Sequence, residues 1–525
     1  MYLYFSIFFA VLGMWQFGYQ STVLNLPQTD IENFFKDTFQ KRNIGTLPMP
    51  DDTASTLYSV ATSLLLVGGI VGSLATGWVG NTFGRKKGIV YVQLISLSSS
   101  AFGGICQVSN SFEILFLSRF LAGLSCGLFT GLVPLYVTEI APLHLRGAAG
   151  TTCNLATTFG LVVGMVLGLD EILGGPDSWP YLFFVPAGAA IIQLIALPFM
   201  PEAPDYLILN QRDLEEGRKA LIKLRGTSDV DEEIQEIIQE SEKNGSPINE
   251  DHGSNENLVD DKLSILQILG SSKYWLPLFL CLCIQLSQQA TGMIALIFYS
   301  TNFFLDAGLS SNVSNYASIS IAGILFTMTG VSVFLMEKLG RRTLHVYIGM
   351  TGMLVCSVVL NFSLIMEGLN QDNNNNTTNA TGTDLISNYS SDQETSVWGI
   401  IVIISTLSYV VVFGLGPASI PWLITPELFE PGPRGAATSL SIFANWTTQL
   451  VIALTFPQII AAIGSYHSFL PFLGLLIILY ILLFIYFPET KNQSSSDTAR
   501  LFELPRPWLK PIGYKSKQLL EGIRN

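Results

Sequence analysis

The sequence predicts an all-α polytopic membrane protein, with twelve transmembrane helices in two six-helix bundles built as a parallel repeat. Three observations predict it. Of 525 residues, 49% are hydrophobic and only 13% charged, against roughly 25% charged in soluble domains. Apolar stretches near the roughly 20 residues that cross a bilayer recur along the chain. Charged motifs that follow one set of stretches recur, in order, after a second set.

The twelve stretches are 1–26, 55–80, 88–107, 112–137, 148–169, 180–200, 275–303, 316–336, 343–366, 398–424, 436–462 and 468–487. Lipid offers no partner to a backbone N–H or C=O, so each stretch must close its hydrogen bonds internally, as a helix. Stretches 3 and 6 are short, and two of the long ones are expected to tilt. The first stretch begins at Met1. It lacks a basic leading region and a small-residue cleavage site, and it carries Gln16, Gly18, Tyr19 and Gln20. It therefore reads as a helix rather than a cleaved signal. All six cysteines lie in apolar stretches and read as small core residues. The four histidines are scattered, with no metal-ligand spacing and no triad. No metal, cofactor, nucleic-acid partner or enzymatic activity is expected.

Orientation follows Lys and Arg, not the net charge of −13. Of 27 such residues, Lys36, Lys41 and Arg42 lie in loop 1–2 and Arg119 within stretch 4. The rest fall in even-to-odd loops and the C-terminal tail, which places both termini in the cytoplasm. Glycosylation sequons at Asn375, Asn376, Asn379 and Asn388 in loop 9–10, and at Asn312 in loop 7–8, agree with that sidedness. The Asn/Thr-rich composition of 370–390 reads as a flexible loop.

The repeat lies in the charges. Glu139 and Arg146 stand seven apart after stretch 4; Glu427 and Arg434 do so after stretch 10; both pairs precede Gly-Ala-Ala. Pro201-Glu202 ends stretch 6, as Pro488-Glu489 ends stretch 12. Gly84-Arg85-Lys86 follows stretch 2, as Gly340-Arg341-Arg342 follows stretch 8, with Glu337 just before. Six helices have been duplicated in parallel, the arrangement of two bundles about an axis along the membrane normal. The repeated residues Arg85, Glu139, Arg146, Glu202, Glu337, Arg341, Arg342, Glu427, Arg434 and Glu489 are expected to form a cytoplasmic latch, pairing across the two halves.

Several motifs resemble one family. Gly123, Gly127, Tyr136, Glu139 and Arg146 frame PLYVTEIAPLHLRG; QFGY stands at 16–19, PEAP at 201–204, QLSQQ at 285–289, GRRTL at 340–344, IPW at 420–422, PELF at 426–429, NWT at 445–447 and PET at 488–490. The combination resembles the sugar-porter branch of the major facilitator superfamily, and within it the animal facilitative glucose transporters. The resemblance implies a major facilitator fold, a central sugar site and alternating access. It divides the chain into a first bundle (1–202), a cytoplasmic helical loop (203–274), a second bundle (275–490) and a cytoplasmic tail (491–525). In the loop, 212–224 and 230–242 read as helices, the second with an apolar stripe of Ile234, Ile237 and Ile238.

Polar side chains within a membrane are costly and tend to be functional, and amides offer a sugar donors and acceptors together. Gln285, Gln288 and Gln289 precede Thr291-Gly292, where a helix break is expected. By resemblance, Gln288 and Gln289 are sugar contacts, Gln285 is a nearby determinant, and Trp422 and Trp446 line the cavity. Asn154 stands where the family has Gln. Three more positions depart from the pattern: Ile294 and Leu325 replace Asn, and Gly414 replaces Glu. Asp205 and Thr82 replace Arg beside the latch. Gln20 stands where the family's symporters carry an acid after QFGY, and none of the twelve stretches has an Asp or Glu in its interior. The expected function is therefore uniport of a hexose such as glucose, or a related sugar, across the plasma membrane. A carrier of another polyol, and a non-transporting sugar sensor on the same fold, remain alternatives.

Overall fold

The structure is a computed structural model. It describes residues 2–43, 48–142, 145–243, 265–297, 304, 311–380, 397–491, 493, 498 and 502; side chains are described for these except at 210, 239–243, 311–313, 315, 337, 371–380 and 431. Among the described residues, eleven helices are long and apolar enough to cross a membrane. The twelfth is the N-terminal one. Its two runs, Tyr2–Ala10 and Leu12–Thr22, are joined through Val11 by unbroken helical bonds: Val11 N donates to Ile7 O and Trp15 N to Val11 O, each 3.0 Å.

The spans are labelled in chain order: α1 (2–22), α2 (Asp51–Phe83), α3 (Arg85–Ile105), α4 (Phe112–Ile140), α5 (Arg146–Leu167), α6 (Trp179–Phe199), α7 (Ser272–Ile297), α8 (Ser311–Leu339), α9 (Thr343–Asn370), α10 (Val397–Leu428), α11 (Pro431–Ile463) and α12 (Leu470–Tyr486). Each half uses the same packing plan. In the first, α2 lies on α4, α1 on α5 and α3 on α4; in the second, α8 lies on α10, α7 on α11 and α9 on α10. The halves meet along two seams related by the repeat, α2 with α11 and α5 with α8.

Small residues make the first half tight. A side chain at Gly123 would stand 2.0 Å from the Leu65 carbonyl, so only glycine lets α4 touch the α2 backbone. Lipid-facing surfaces are apolar, as in Ile477, Ile478 and Ile481 of α12 and Val355, Val358 and Phe362 of α9. All six cysteines are unpaired, and five are buried.

Two features differ from the sequence reading. Loop 1–2 contains a helix, Gln28–Arg42, whose Ile31, Phe34 and Phe35 pack with Trp179 and Phe183 in a small separate core. The helix of α9 runs on to Ala380, past the expected start of a loop. A helix nucleated in the membrane extends at little cost, since each further residue adds a bond without a new nucleus. Asn388 lies outside the described residues, as do the side chains of Asn312, Asn375, Asn376 and Asn379.

Between the halves, Leu214–Arg225 and Asp231–Lys243 are helices, close to the expected ranges. Asp213 caps the first by accepting from Glu216 N at 3.0 Å. Ile234 joins Ile208, Leu221 and Val230 in a small core, with Ile237 and Ile238 at its edge. Two basic side chains tie this unit to the first half by accepting no bond and donating to helix ends: Arg225 Nη1 to Ile140 O at 2.9 Å and Lys223 Nζ to Phe199 O at 2.8 Å. Both meet the carbonyls a helix leaves open at its C-terminus.

Candidate functional site

Two helices of the second half are broken at mid-membrane. In α7 the regular helix stops at Gln289; Gly292 takes φ +88° and the chain resumes as helix at Met293. A residue with a Cβ is strained at that φ, so glycine sets the break where the sequence placed it. The freed Thr291 carbonyl accepts from the Tyr409 hydroxyl. In α10 the helix stops at Leu415 and restarts at Ile420. The unwound turn and the residues after it leave carbonyls that the glutamines fill. Gln288 Nε2 donates to Ala418 O at 2.8 Å, and Gln285 Nε2 to Pro421 O at 2.9 Å.

Asn445 of α11 links the three glutamines. Its Nδ2 donates to Gln285 Oε1 and Gln288 Oε1, both at 2.8 Å, and its Oδ1 accepts from Gln289 Nε2 at 2.8 Å. All four amides are at most 5% exposed. Such a buried network holds each side chain in one orientation, because a broken bond would leave a polar group unpaired. The sequence reading named Asn445 only within the NWT motif and gave it no place in the site. Ser441, Asn445 and Gln449 recur every four residues on α11, the one signal that marks a polar face there.

Beside this network lies a cavity between the halves. Its polar lining is Ser21, Asn154, Thr157 and Thr158 from the first half and Gln288, Gln289 and Gln449 from the second. Phe17 and Trp422 supply aromatic surface, with ring centroids 6.3 Å apart. Asn154 Nδ2 donates across the interface to Ser419 Oγ at 3.1 Å. The rest of the lining is apolar and includes Leu161, Met293, Ile294, Ile297, Leu325 and Phe413. These six belong to one continuous apolar cluster.

Gln288, Gln289, Asn154 and Trp422 are thus brought to one cavity, and Ile294 and Leu325 with them. Gln285 and Trp446 stand one layer behind. The Trp446 ring packs against Gly69 and lies 5.1 Å from Phe17, while its Nε1 donates to Thr130 Oγ1 at 3.3 Å. It supports the aromatic surface from the far half rather than lining the cavity. At Gly414 an added Cβ would stand 2.7 Å from Met328 Cβ, so α8 has closed over the position where the family carries an acid.

The repeated charges form two clamps. In the first half, Arg85 grips Glu139 through two bonds of 2.7 and 2.8 Å, both side chains buried. Glu202 Oε1 accepts from Arg85 N at 3.1 Å and Lys86 N at 2.9 Å, capping α3. In the second half, Arg341 donates twice to one oxygen of Glu427, at 2.9 and 3.2 Å. Glu489 accepts from Arg341 N at 2.8 Å and Arg342 N at 3.1 Å, capping α9. Gly84 (φ +83°) makes the reversal from α2 into α3, and Gly340 (φ +89°) that from α8 into α9, just before the arginine of each clamp.

These pairs join helices of the same half, not of opposite halves as the sequence reading expected. The spacing was read correctly, but it places acid and base on neighbouring helices of one bundle. Charge crosses the interface at Asp205 instead. Burial pushes its carboxyl up to about 6, reinforced by Glu139, while Arg146, Arg85 and Arg434 of the other half pull it down. Arg434 itself donates to Phe429 O at 3.3 Å. The side chain of Glu337 lies outside the described residues. Across the α2–α11 seam Gly77 N donates to Ser439 Oγ at 2.9 Å.

Arg119, buried in α4, is held by Gln20, with Nη1 to Oε1 at 2.9 Å and Nη2 to the backbone O at 3.0 Å. One acid lies further in than the sequence suggested. The α9 span runs past residue 366 and takes in Glu367, 4% exposed, which is not among the cavity-lining residues.

Residues 6–502 match the family profile described as Sugar (and other) transporter. The solute carrier family 2, facilitated glucose transporter member 3 of Mus musculus is 36% identical over 502 residues, covering 95% of this chain and 93% of the relative. The Homo sapiens protein of that name is also 36% identical, over 95% of this chain and 92% of its own. The structure of the major facilitator superfamily proton:xylose symporter XylE bound to 6-bromo-6-deoxy-D-glucose superposes with a TM-score of 0.77 at 20% identity, over 95% of this chain and 99% of that one. The inward open form of the xylose transporter XylE from E. coli gives 0.64 at 19% identity, over 95% and 100%. With the duplicated bundles and the interfacial cavity, these matches show that the chain belongs to the sugar (and other) transporter family, a family of multi-pass membrane carriers and not of enzymes.

Proposed function

We propose that this protein is a uniporter that moves a hexose or a related sugar down its gradient by alternating access. The observation that carries the reading is the cavity between the two halves, lined by the amides of Gln288, Gln289 and Asn154 beside the Trp422 ring. Sugar sites take this form, with a few fixed polar groups on a largely apolar surface. The names of the relatives, glucose and xylose transporters, support the same substrate class.

The absence of ion coupling rests on Gln20. Coupling needs a group that gains and loses a proton or binds a cation within the membrane. The partner of Arg119 is an amide, which does neither. Both termini face the cytoplasm and the protein resides in the plasma membrane, on the Lys/Arg asymmetry and the sequons. The two clamps hold the helix ends of each half rigid, so that the halves rock as units.

Purified protein in sealed vesicles, given radiolabelled hexose, tests this. Uptake should rise to equilibrium and stop, with no proton current at zero sugar gradient. A substrate-induced proton current sinks uniport. Saturable binding without flux favours the second reading, a sugar sensor, which draws on the apolar Ile294 and Leu325 in the cavity.

A further inference from the structure

We infer that the preferred substrate is a sugar with one unhydroxylated edge, a deoxyhexose, seated with its hydroxyls on the amides and its bare edge on the wall made by Ile294, Ile297, Leu325 and Phe413. The inference rests on the sugar-carrier reading and specifies it.

The cavity lining divides by chemistry into a polar and an apolar part. On the polar side, Gln288 and Asn154 meet at the unwound turn of α10, on Ala418 O and Ser419 Oγ, with Thr157 and Thr158 one turn on from Asn154 and Gln449 one turn on from Asn445. Much of the amide capacity is already committed. Gln289 Nε2 donates to Asn445 and, at 3.4 Å, to Gln288 Oε1, leaving its own Oε1 to accept. Both threonine hydroxyls donate to carbonyls one turn back, at 3.1 Å, and keep only acceptor capacity. This side can satisfy some of a hexose's hydroxyls, not a full ring of them.

The apolar wall offers no hydrogen bond from its side chains. It belongs to the large apolar core of the second half, with Ile294 8%, Leu325 2% and Phe413 5% exposed. Nor is it a polar wall with one group missing. Met328 and Leu325 of α8 have packed against Gly414, 2.7 and 3.5 Å from where its Cβ would stand, so the apolar surface is continuous there. A hydroxyl pressed on that wall loses its water and gains nothing, which weakens binding roughly tenfold. A hydrogen or methyl in its place removes the penalty and adds apolar contact.

The test is competition against uptake in sealed vesicles, with D-glucose and its 2-, 3- and 6-deoxy analogues on the unaltered protein. At least one analogue should bind about tenfold tighter than the parent. Ile294→Asn should return the parent to within about twofold of that analogue. Ile294→Ala, a gentler change, should narrow the preference without abolishing transport. Preference for the parent sugar over every analogue overturns the inference and leaves the carrier reading intact. So does a deoxy preference that both variants leave unchanged, since it would not arise at this wall. Failure of every sugar to bind or move overturns both.

Discussion

The two halves share one packing plan and one clamp, yet they differ at mid-membrane. In the first half, α1 and α4 run through the membrane as continuous helices, and glycines bring α2 and α4 backbone to backbone. In the second, α7 and α10 are both interrupted beside the cavity, and a four-amide network occupies the gap. The difference teaches that duplication has preserved the parts that hold each bundle, while the helices beside the cavity have diverged. The clamps, too, are unequal. Arg85 meets Glu139 with two bonds to two oxygens; Arg341 meets Glu427 with two bonds to one oxygen, while the other oxygen of Glu427 accepts from Thr490.

The largest effect should come from breaking the stronger clamp. Arg85→Ala leaves Glu139 buried without its partner, a loss of about 3–5 kcal/mol. Thermal unfolding in detergent should show a larger drop for Arg85→Ala than for Arg341→Ala. Equal drops would mean that the clamps are equivalent despite their geometry. Next comes the network peculiar to the second half. Asn445→Leu strips partners from Gln285, Gln288 and Gln289, at about 1–3 kcal/mol for a group left unpaired. Sugar KM should rise at least tenfold, with the protein still folded. An unchanged KM would remove Asn445 from the site's construction.

A third change probes the break itself. Gly292→Ala forces a side chain into φ +88°, costing about 1–2 kcal/mol. Its Cβ would also stand 3.1 Å from the Phe472 ring. Transport should slow several-fold, whereas Gly330→Ala in α8, with 3.7 Å to its nearest neighbour, should have little effect. The smallest effect concerns the charge that crosses the halves. With the Asp205 carboxyl raised to about 6, the arrangement seen here binds its proton more tightly than a carboxyl in water. Its stability should therefore rise as pH falls from above 6 towards the ordinary value near 4. Melting midpoints measured between pH 7.5 and 5.5 should climb in the unaltered protein and stay flatter in Asp205→Asn.

Much of this was legible in the sequence, for identifiable reasons. A membrane imposes a coarse rule on length and polarity, so all twelve spans could be counted from composition alone. Gly292 could be read as a break because it follows a run of polar residues inside an apolar stretch. The helix at Gln28–Arg42 was missed because its apolar residues are few and sit among charges. Asn445 and Gln449 were missed because their meaning lies in a four-residue spacing on α11 and in what faces them from α7. The clamps were recognised but assigned to the wrong partners. Spacing along a chain gives the register of a helix end, not the identity of the neighbouring helix.

The short helix Ile420–Leu428 carries a consequence for mechanism. Its nine residues span about 13 Å. Gln285, behind the cavity, bonds to Pro421 O at its start, and the cavity's Gln288 to Ala418 O just before it; near its far end Glu427 holds Arg341. A rod so short transmits a tilt without bending. Filling or emptying the cavity and loosening the clamp are then two ends of one lever, and a ligand that shifts Gln285 or Gln288 by a fraction of an ångström moves the clamp end of α10 with it.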